Sequence, residues 1–347
     1  MPKPKIEVNG TSGDDLISAN FGDGRSGKNA HGQASEVIYA YEGDDTVFGG
    51  NGSDEIYGGL DDNWLDGENG HDELYGDEGN DALFGGNGKD SVFGGAGNDL
   101  LSGGNGKDEL YGDDGDDALW GGNGKDVLFG GANDDTLHGE NAKDELHGGA
   151  GNDVLDGGSA KDMLFGDEGD DVLYGGSAKD QLFGGADDDV LYGDEGKDFL
   201  SGEDGNDTLY GGAGRDELEG GAGNDLLFGD DDRDDLEGGD GDDTLVGGAG
   251  RDHMEGGDGA DVFVFTSASD SGIGGKARDS IGNFEDGIDT IDLSAFGGLS
   301  FADDITVTPI DTDKSIVGVD INGDDVVDFE IKVDIDPADL DAGDFVF

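Results

Sequence analysis

The chain of 347 residues has no cysteine, so neither a disulfide framework nor a thiolate metal site is open to it. Bases are scarce: 18 lysines and arginines face 87 aspartates and glutamates, for a formal net charge of −69. That imbalance repels phosphates, which excludes nucleic acid as a partner and works against anionic membrane surfaces, while it favours cations. No apolar run reaches the length of a transmembrane segment. The opening MPKPKIEVNG carries two lysines but no apolar core of a signal peptide, so an export address is expected elsewhere. HExxH and GxSxG are both missing and no nucleophile stands at a sensible spacing from a base, so no enzyme is expected.

What the chain has in quantity is glycine, 74 residues, together with acid. Composition alone reads as disorder, because glycine loses the most backbone freedom on ordering and like charges repel. A strict period overturns that reading. From Ala40 to Val264 the register runs in nines for 25 units. Position one is Gly except at Ala40, position six is Asp except at Asn63, and position eight is always apolar. Position four is Gly except at Asp61, Asn133, Ala142, Ala160, Ala178, Asp187 and Asp232.

Glycines in front of one apolar residue predict a tight turn followed by a strand of about three residues. Position eight then faces inward while seven and nine face outward. Bases at position five recur every 18 residues, from Lys89, Lys107 and Lys125 to Arg251, so two units complete one turn. The expected fold is all-β: a right-handed parallel β-roll with two nonapeptides per 18-residue turn, capped by a C-terminal antiparallel β segment.

One apolar side chain in nine cannot offset the ordering of so glycine-rich and acidic a backbone. A divalent ion between stacked turns answers both deficits, since carboxylates and turn carbonyls are hard oxygen ligands. Calcium accepts six to eight of them, whereas magnesium demands a stricter octahedron and keeps its waters. One ion between each turn and the next on the same side gives about 23 sites, so about 20 or more calcium ions are expected, and 23 ions bring the −69 down to about −23.

The units match GGxGxDxUx, and over about two thirds of its length the chain resembles the RTX proteins. The resemblance implies that the aspartate at position six supplies the carboxylate ligand and neighbouring turn carbonyls the rest. The metal ligands so implied are Asp45, Asp54, Asp72, Asp81, Asp90, Asp99, Asp108, Asp117, Asp126, Asp135, Asp144 and Asp153, then Asp162, Asp171, Asp180, Asp189, Asp198, Asp207, Asp216, Asp225, Asp234, Asp243, Asp252 and Asp261. Extracellular calcium modules bind at roughly 0.1 to 1 mM, so such a chain stays open in the cytosol and closes outside.

Three regions follow: residues 1–39 as an N-terminal cap with degenerate repeats, 40–264 as the calcium-binding roll, and 265–347 as a C-terminal β cap with a secretion signal. GTSGDDLIS at 10–18 reads as one more unit and HGQASEVIY at 31–39 as a degraded one, with Glu36 in the aspartate slot. Between them Gly22, Gly27 and Lys28 have Walker A spacing, but Asn29 replaces the required Ser or Thr, and the stretch reads as a capping loop. Asp320, Asn322, Asp324 and Asp328 have EF-hand spacing, yet Asp325 stands at the glycine position and Ile331 at the glutamate position, so a hairpin turn is expected.

After Phe265 the repeats stop, and the alternation in DSIGNFEDGIDTIDLSAF and VGVDINGDDVVDFEIKV predicts several antiparallel strands. This end resembles the C-terminal region of the serralysin metalloproteases. The closing DFVF, Asp344 to Phe347, is similar to the terminal signal read by type I secretion systems, which implies export through an ABC-transporter channel; the other reading is an ordinary last strand.

All five histidines fall in repeat slots: His31 in the degraded unit, His71 at position five, His138 and His147 at nine, His253 at seven. Position nine of the base-bearing set reads Tyr57, Tyr75, Phe93, Tyr111, Phe129, His147, Phe165 and Phe183 before turning polar at Ser201, Glu219, Glu237 and Glu255. This aromatic ladder serves either cross-strand packing or docking, for instance by stacking on sugar rings. The function so read is a secreted calcium-binding RTX protein that presents an extended surface. The alternatives are a carbohydrate-binding module similar to mannuronan epimerase repeat modules, engaging an extracellular polysaccharide or cell surface, and a membrane-acting RTX protein of nodulation or bacteriocin type.

Overall fold

Position eight sets the architecture. Its residues, from Val47 through Leu119 to Phe263, are at most 1% exposed, while nearly all of those at seven and nine reach solvent. The structure, a computed structural model, describes residues 6–18 and 35–347; the Walker-like stretch at 21–29 and His31 lie outside the described residues.

The chain divides into two compact units, 1–172 and 173–347. In the first, two parallel ladders pair nonapeptide strands 18 residues apart. One carries Ser91↔Glu109, Val92↔Leu110 and Phe93↔Tyr111; the other carries Ala82↔Leu100, Leu83↔Leu101 and Phe84↔Ser102. The second unit repeats the scheme, with Glu217↔Asp235 and Leu226↔Thr244. A period of 18 and an inward residue every nine thus give a parallel β-solenoid, as the sequence predicts.

Some strands keep the expected three residues, as Val154–Asp156 and Thr208–Tyr210 do, while others are longer. Ser91–Ala96 and Glu109–Asp114 have six and Ala82–Gly88 has seven. Pairing lapses at the position-one glycine and resumes beyond it, at Gly95↔Asp113. The cause is that the turns also lie on their own copies: Asn87 donates its N–H to the Glu68 carbonyl at 2.8 Å, and Gly79 to that of Ala96 at 2.9 Å.

Position four explains its own exceptions. A Cβ on Gly106 would stand 1.6 Å from the carbonyl oxygen of Gly88 in the turn below. All seven residues that replace glycine there adopt positive φ, from 69° at Asp61 through 82° at Ala142 and 88° at Ala160 to 100° at Ala178. Aspartate and asparagine tolerate the left-handed region; alanine has no polar side chain to compensate.

The repeat reaches beyond both ends of the uninterrupted register. At the start, Leu16↔Thr46, Ile17↔Val47 and Ser18↔Phe48 make residues 10–18 a true rung, 30 residues from its partner. Ile38 of the degraded unit is buried and pairs with Ile56. At the far end the expectation that repeats stop after Phe265 needs correction. Met254↔Ile281 and Phe263↔Ile291 continue both ladders in parallel, at 27 and 28 residues instead of 18. Inserted residues lengthen the turns, while DSIG and DTID keep the aspartate and the inward apolar residue.

The antiparallel part is Ile305–Pro309, Ser315–Val319 and Phe329–Val333. Residues 320–328 form its hairpin connection, where the Asp320 carboxylate accepts the N–H groups of Asn322, Gly323 and Asp325. Phe329–Val333 lies parallel to Asp279–Gly282, and Phe345–Val346 parallel to Thr290–Asp292.

Ala142→Gly and Ala160→Gly are expected to raise the stability of the folded chain by about 1 kcal/mol each, the reverse of the usual sign, because they release a left-handed alanine. Denaturant unfolding of each variant checks this; a loss of stability would show that the methyl packs usefully.

Candidate metal-binding array

Each position-six aspartate closes a turn and opens a strand, which turns its side chain into the bend. All 24 are at most 3% exposed. One oxygen is spoken for. The N–H of Asp72 donates to Oδ1 of Asp90, that of Asp90 to Asp108, Asp108 to Asp126 and Asp126 to Asp144, each at 2.8 Å. On the opposite side Asp81, Asp99, Asp117, Asp135 and Asp153 form the same chain at 2.7 to 2.8 Å. The exception preserves this ladder: Asn63 Oδ1 accepts from Asp45 N–H at 3.1 Å, while its Nδ2 donates to the Asp61 carbonyl at 2.9 Å.

The other oxygen is not satisfied by the protein. Oδ2 of Asp90, Asp99, Asp108, Asp117, Asp126 and Asp135 is buried with no hydrogen-bond partner, a cost of roughly 1 to 3 kcal/mol for each such group. These oxygens crowd the bare Cα at position one. A Cβ on Gly112 would stand 2.3 Å from Asp117 Oδ2 and 2.5 Å from the Gly130 carbonyl oxygen. On Gly220 it would stand 2.4 Å from Asp225 Oδ2 and 2.4 Å from the Gly238 carbonyl oxygen. Position one is glycine because a carboxylate of one turn and a carbonyl of the next converge on the space a methyl would fill. Hard oxygens gathered from successive turns suit a calcium ion.

The electrostatics agree. Burial raises the carboxyls of Asp99 and Asp108 to about 7 and those of Asp135 and Asp144 to about 8. The N–H from the preceding rung pulls each down, and the carboxylates of adjacent rungs push it up again. Among the described residues no three acid or histidine side chains gather closely enough to hold a metal. The other oxygens that stand beside these carboxylates are backbone carbonyls of the next turn, such as those of Gly130 and Gly238.

Sequence counting found this register but missed two members. Asp279 and Asp289, both buried, accept the N–H groups of Asp252 at 2.7 Å and Asp261 at 3.1 Å and so extend the two ladders. Their only sequence trace is Asp-x-apolar-x in DSIG and DTID.

The described histidines have structural work. His71 accepts the Lys89 N–H at 2.8 Å, and His147 stacks between Phe129 and Phe165 at 4.8 and 4.6 Å. The aromatic ladder is real: Tyr57, Tyr75, Phe93, Tyr111 and Phe129 stack at 4.8 to 4.9 Å with ring planes within 10°. Their faces are turned to one another, which leaves a sugar ring only their edges.

The model of the RTX calcium-binding nonapeptide repeat matches in overlapping stretches from 32–65 to 237–272, more than half of the chain. No curated protein sequence matches. Among solved structures the chain is similar to the AlgE6R2 subunit of the Azotobacter vinelandii mannuronan C5-epimerase, with 28% identity over 50% of this chain and 90% of that one, TM-score 0.27. The AlgE6R3 subunit of that enzyme gives 27% identity over 49% and 79%, TM-score 0.27. A hyperactive, Ca2+-dependent, β-helical antifreeze protein from an Antarctic bacterium gives 17% identity over 80% and 84%, TM-score 0.34.

The raised carboxyls fix a pH dependence. Asp81, Asp99 and Asp135, for instance, bind their protons more tightly folded, at about 6, 7 and 8, than unfolded, at about 3.9. The folded state therefore holds more protons across that interval, and stability without metal falls as pH rises through it. With a chelator, far-UV circular dichroism should report more ordered strand at pH 5 than at pH 8, while saturating calcium should abolish the difference. Equal order at both pH values under chelation would contradict this.

Proposed function

The chain belongs to the family of RTX calcium-binding nonapeptide repeats, and on that premise we propose that the position-six aspartates from Asp45 to Asp261 are its calcium ligands and that calcium closes the roll. The observation that carries this reading is the buried, unpartnered Oδ2 of aspartates such as Asp90, Asp99, Asp117 and Asp225, set in register beside the carbonyl of the next turn. Bound calcium supplies the positive charge and coordination that those oxygens lack. The chain's own residues hold the oxygens in place, through the Oδ1 ladder and the bare position-one glycines. About 20 or more ions are expected on this reading.

The protein is then a secreted, non-enzymatic binding protein, with 40–264 as its calcium-binding roll between an N-terminal cap and the C-terminal segment. It leaves the cell open, through a type I channel that reads DFVF, and folds on extracellular calcium. The state of that tetrapeptide supports the order of events. Phe345 is buried and paired with Ile291 in the folded chain, and Asp344 is buried and caps a short turn with Asp341. A transporter can reach the Asp344 and Phe345 side chains only before folding. Because the aromatic faces cover each other, cross-strand packing accounts for the ladder, and a polysaccharide partner would have to be met by ring edges and polar side chains.

At neutral pH a chelated sample should lack the ordered far-UV spectrum and be degraded quickly by protease. Added calcium should restore order cooperatively at about 0.1 to 1 mM, and magnesium at that concentration should not. Order that survives chelation would refute the reading. Deleting residues 344–347 should retain the chain inside a type I secreting cell; normal export would remove the signal from DFVF.

A further inference from the structure

The aspartate ladder that runs through Asp216, Asp234 and Asp252 does not end with the last nonapeptide. Asp279 occupies the next rung. It is fully buried, its Oδ1 accepts the N–H of Asp252 at 2.7 Å, and the strand behind it pairs His253↔Ser280 and Met254↔Ile281 in register. Its own N–H donates to Ser271 Oγ at 2.8 Å, and that hydroxyl donates to the Glu330 carbonyl at 2.6 Å. The inserted residues thus hold Asp279 where a nonapeptide turn would have held it.

Its Oδ2 is buried and has no partner. The neighbouring Arg278 does not serve it: Nη2 pairs with Glu330 Oε2 at 2.7 Å, and Nε is itself without a partner. Asp270 stands in the inserted segment, and its Oδ2 is taken by the N–H groups of Thr266 and Ser267, both at 2.7 Å.

The other ends differ. Asp289, the last rung of the second ladder, accepts from Asp261 on Oδ1 and from Glu285 N–H on Oδ2 at 2.7 Å. Asp15, at the first rung, has its Oδ2 taken by the N–H of Thr11 at 2.6 Å and the Thr11 hydroxyl at 2.9 Å. Where no ion is needed, the chain provides donors. At Asp279 Oδ2 it provides none.

We infer that Asp279 is a calcium ligand outside the nonapeptide array, so that one aspartate ladder ends on a metal and the other on a hydrogen bond. The inference rests on the reading that the position-six aspartates hold calcium. It extends that reading to a turn built from different residues.

Asp279→Asn keeps an Oδ1 acceptor for Asp252 N–H, as Asn63 does for Asp45, and replaces only the unsatisfied oxygen. Native mass spectrometry of the calcium-loaded full chain should count one ion fewer for Asp279→Asn and for the register control Asp225→Asn. Asp289→Asn should leave the count unchanged. If Asp225→Asn loses an ion and Asp279→Asn does not, the inference fails while the register reading stands; if neither loses one, both fail. Should Asp279→Asn not fold, crystals of the unaltered chain grown in calcium decide. An anomalous-scattering peak at about 2.3 to 2.6 Å from Asp279 Oδ2 supports the site, and peaks confined to the nonapeptide aspartates overturn it.

Discussion

Stacking one carboxylate above another at every rung is the constraint from which the rest of this structure follows. Strand pairing fixes rungs about 4.8 Å apart. Two ionised carboxylates at that distance repel by about 3 kcal/mol at an effective dielectric of about 20, and each ladder repeats the pair many times. The Oδ1 ladder offsets part of this by giving every aspartate an N–H donor from the rung before it. It cannot serve both oxygens, because a turn of this kind offers one such N–H per rung. Either a proton or a cation must meet the second oxygen. That choice is the difference between an acid-stabilised chain and a calcium-dependent one.

The glycines and leucines are then explained together. Position one must lack a side chain so that a carboxylate and a carbonyl from successive turns can meet there. Position four must lack one, or rotate into the left-handed region, because the carbonyl of the stacked turn lies against it. With its turns built this way, the roll needs only one inward side chain per unit, and a thin line of leucines suffices. The aromatic ladder adds cross-strand contact on one outer face in the first unit. In the second unit Tyr174, Tyr192, Tyr210 and Phe228 stack likewise on the other ladder.

The roll was legible in the sequence because every rung sees the same environment, so selection on one rung writes the same letters on all. Leu128, Asp126 and Gly121 are readable as core, carboxylate column and turn only because their counterparts recur every nine and every eighteen residues. What lay outside the period was lost. Asp279 and Asp289 keep their places in space while the inserted residues reset the count, and Asp-x-apolar-x is too short to notice in a chain with an aspartate in every turn. The seven exceptions at position four were visible as letters, but not their positive φ, which follows from the stacked carbonyl. The ladder of rings was visible too. That the rings lie face to face, and so withhold those faces from a ligand, depends on side-chain direction, which spacing does not determine.

A solenoid has two ends that the period cannot finish, and the ladders here are finished in different currencies. At the start, Ile6–Asn9 pairs in parallel with Glu36–Glu42. At the far end Phe329–Val333 covers Asp279–Gly282, and Phe345–Val346 covers Thr290–Asp292. These cover strands remove open edges that would otherwise template pairing with another chain. Backbone pairing alone does not settle the carboxylates beneath them. Thr11 donates to Asp15 and Glu285 to Asp289, and at those ends the charge column stops on the protein's own donors. At Asp279 the cover strand supplies hydrogen bonds to the backbone but none to the buried oxygen. The cap therefore closes the sheet there without closing the electrostatics, which is the opening that the proposed calcium at Asp279 would fill.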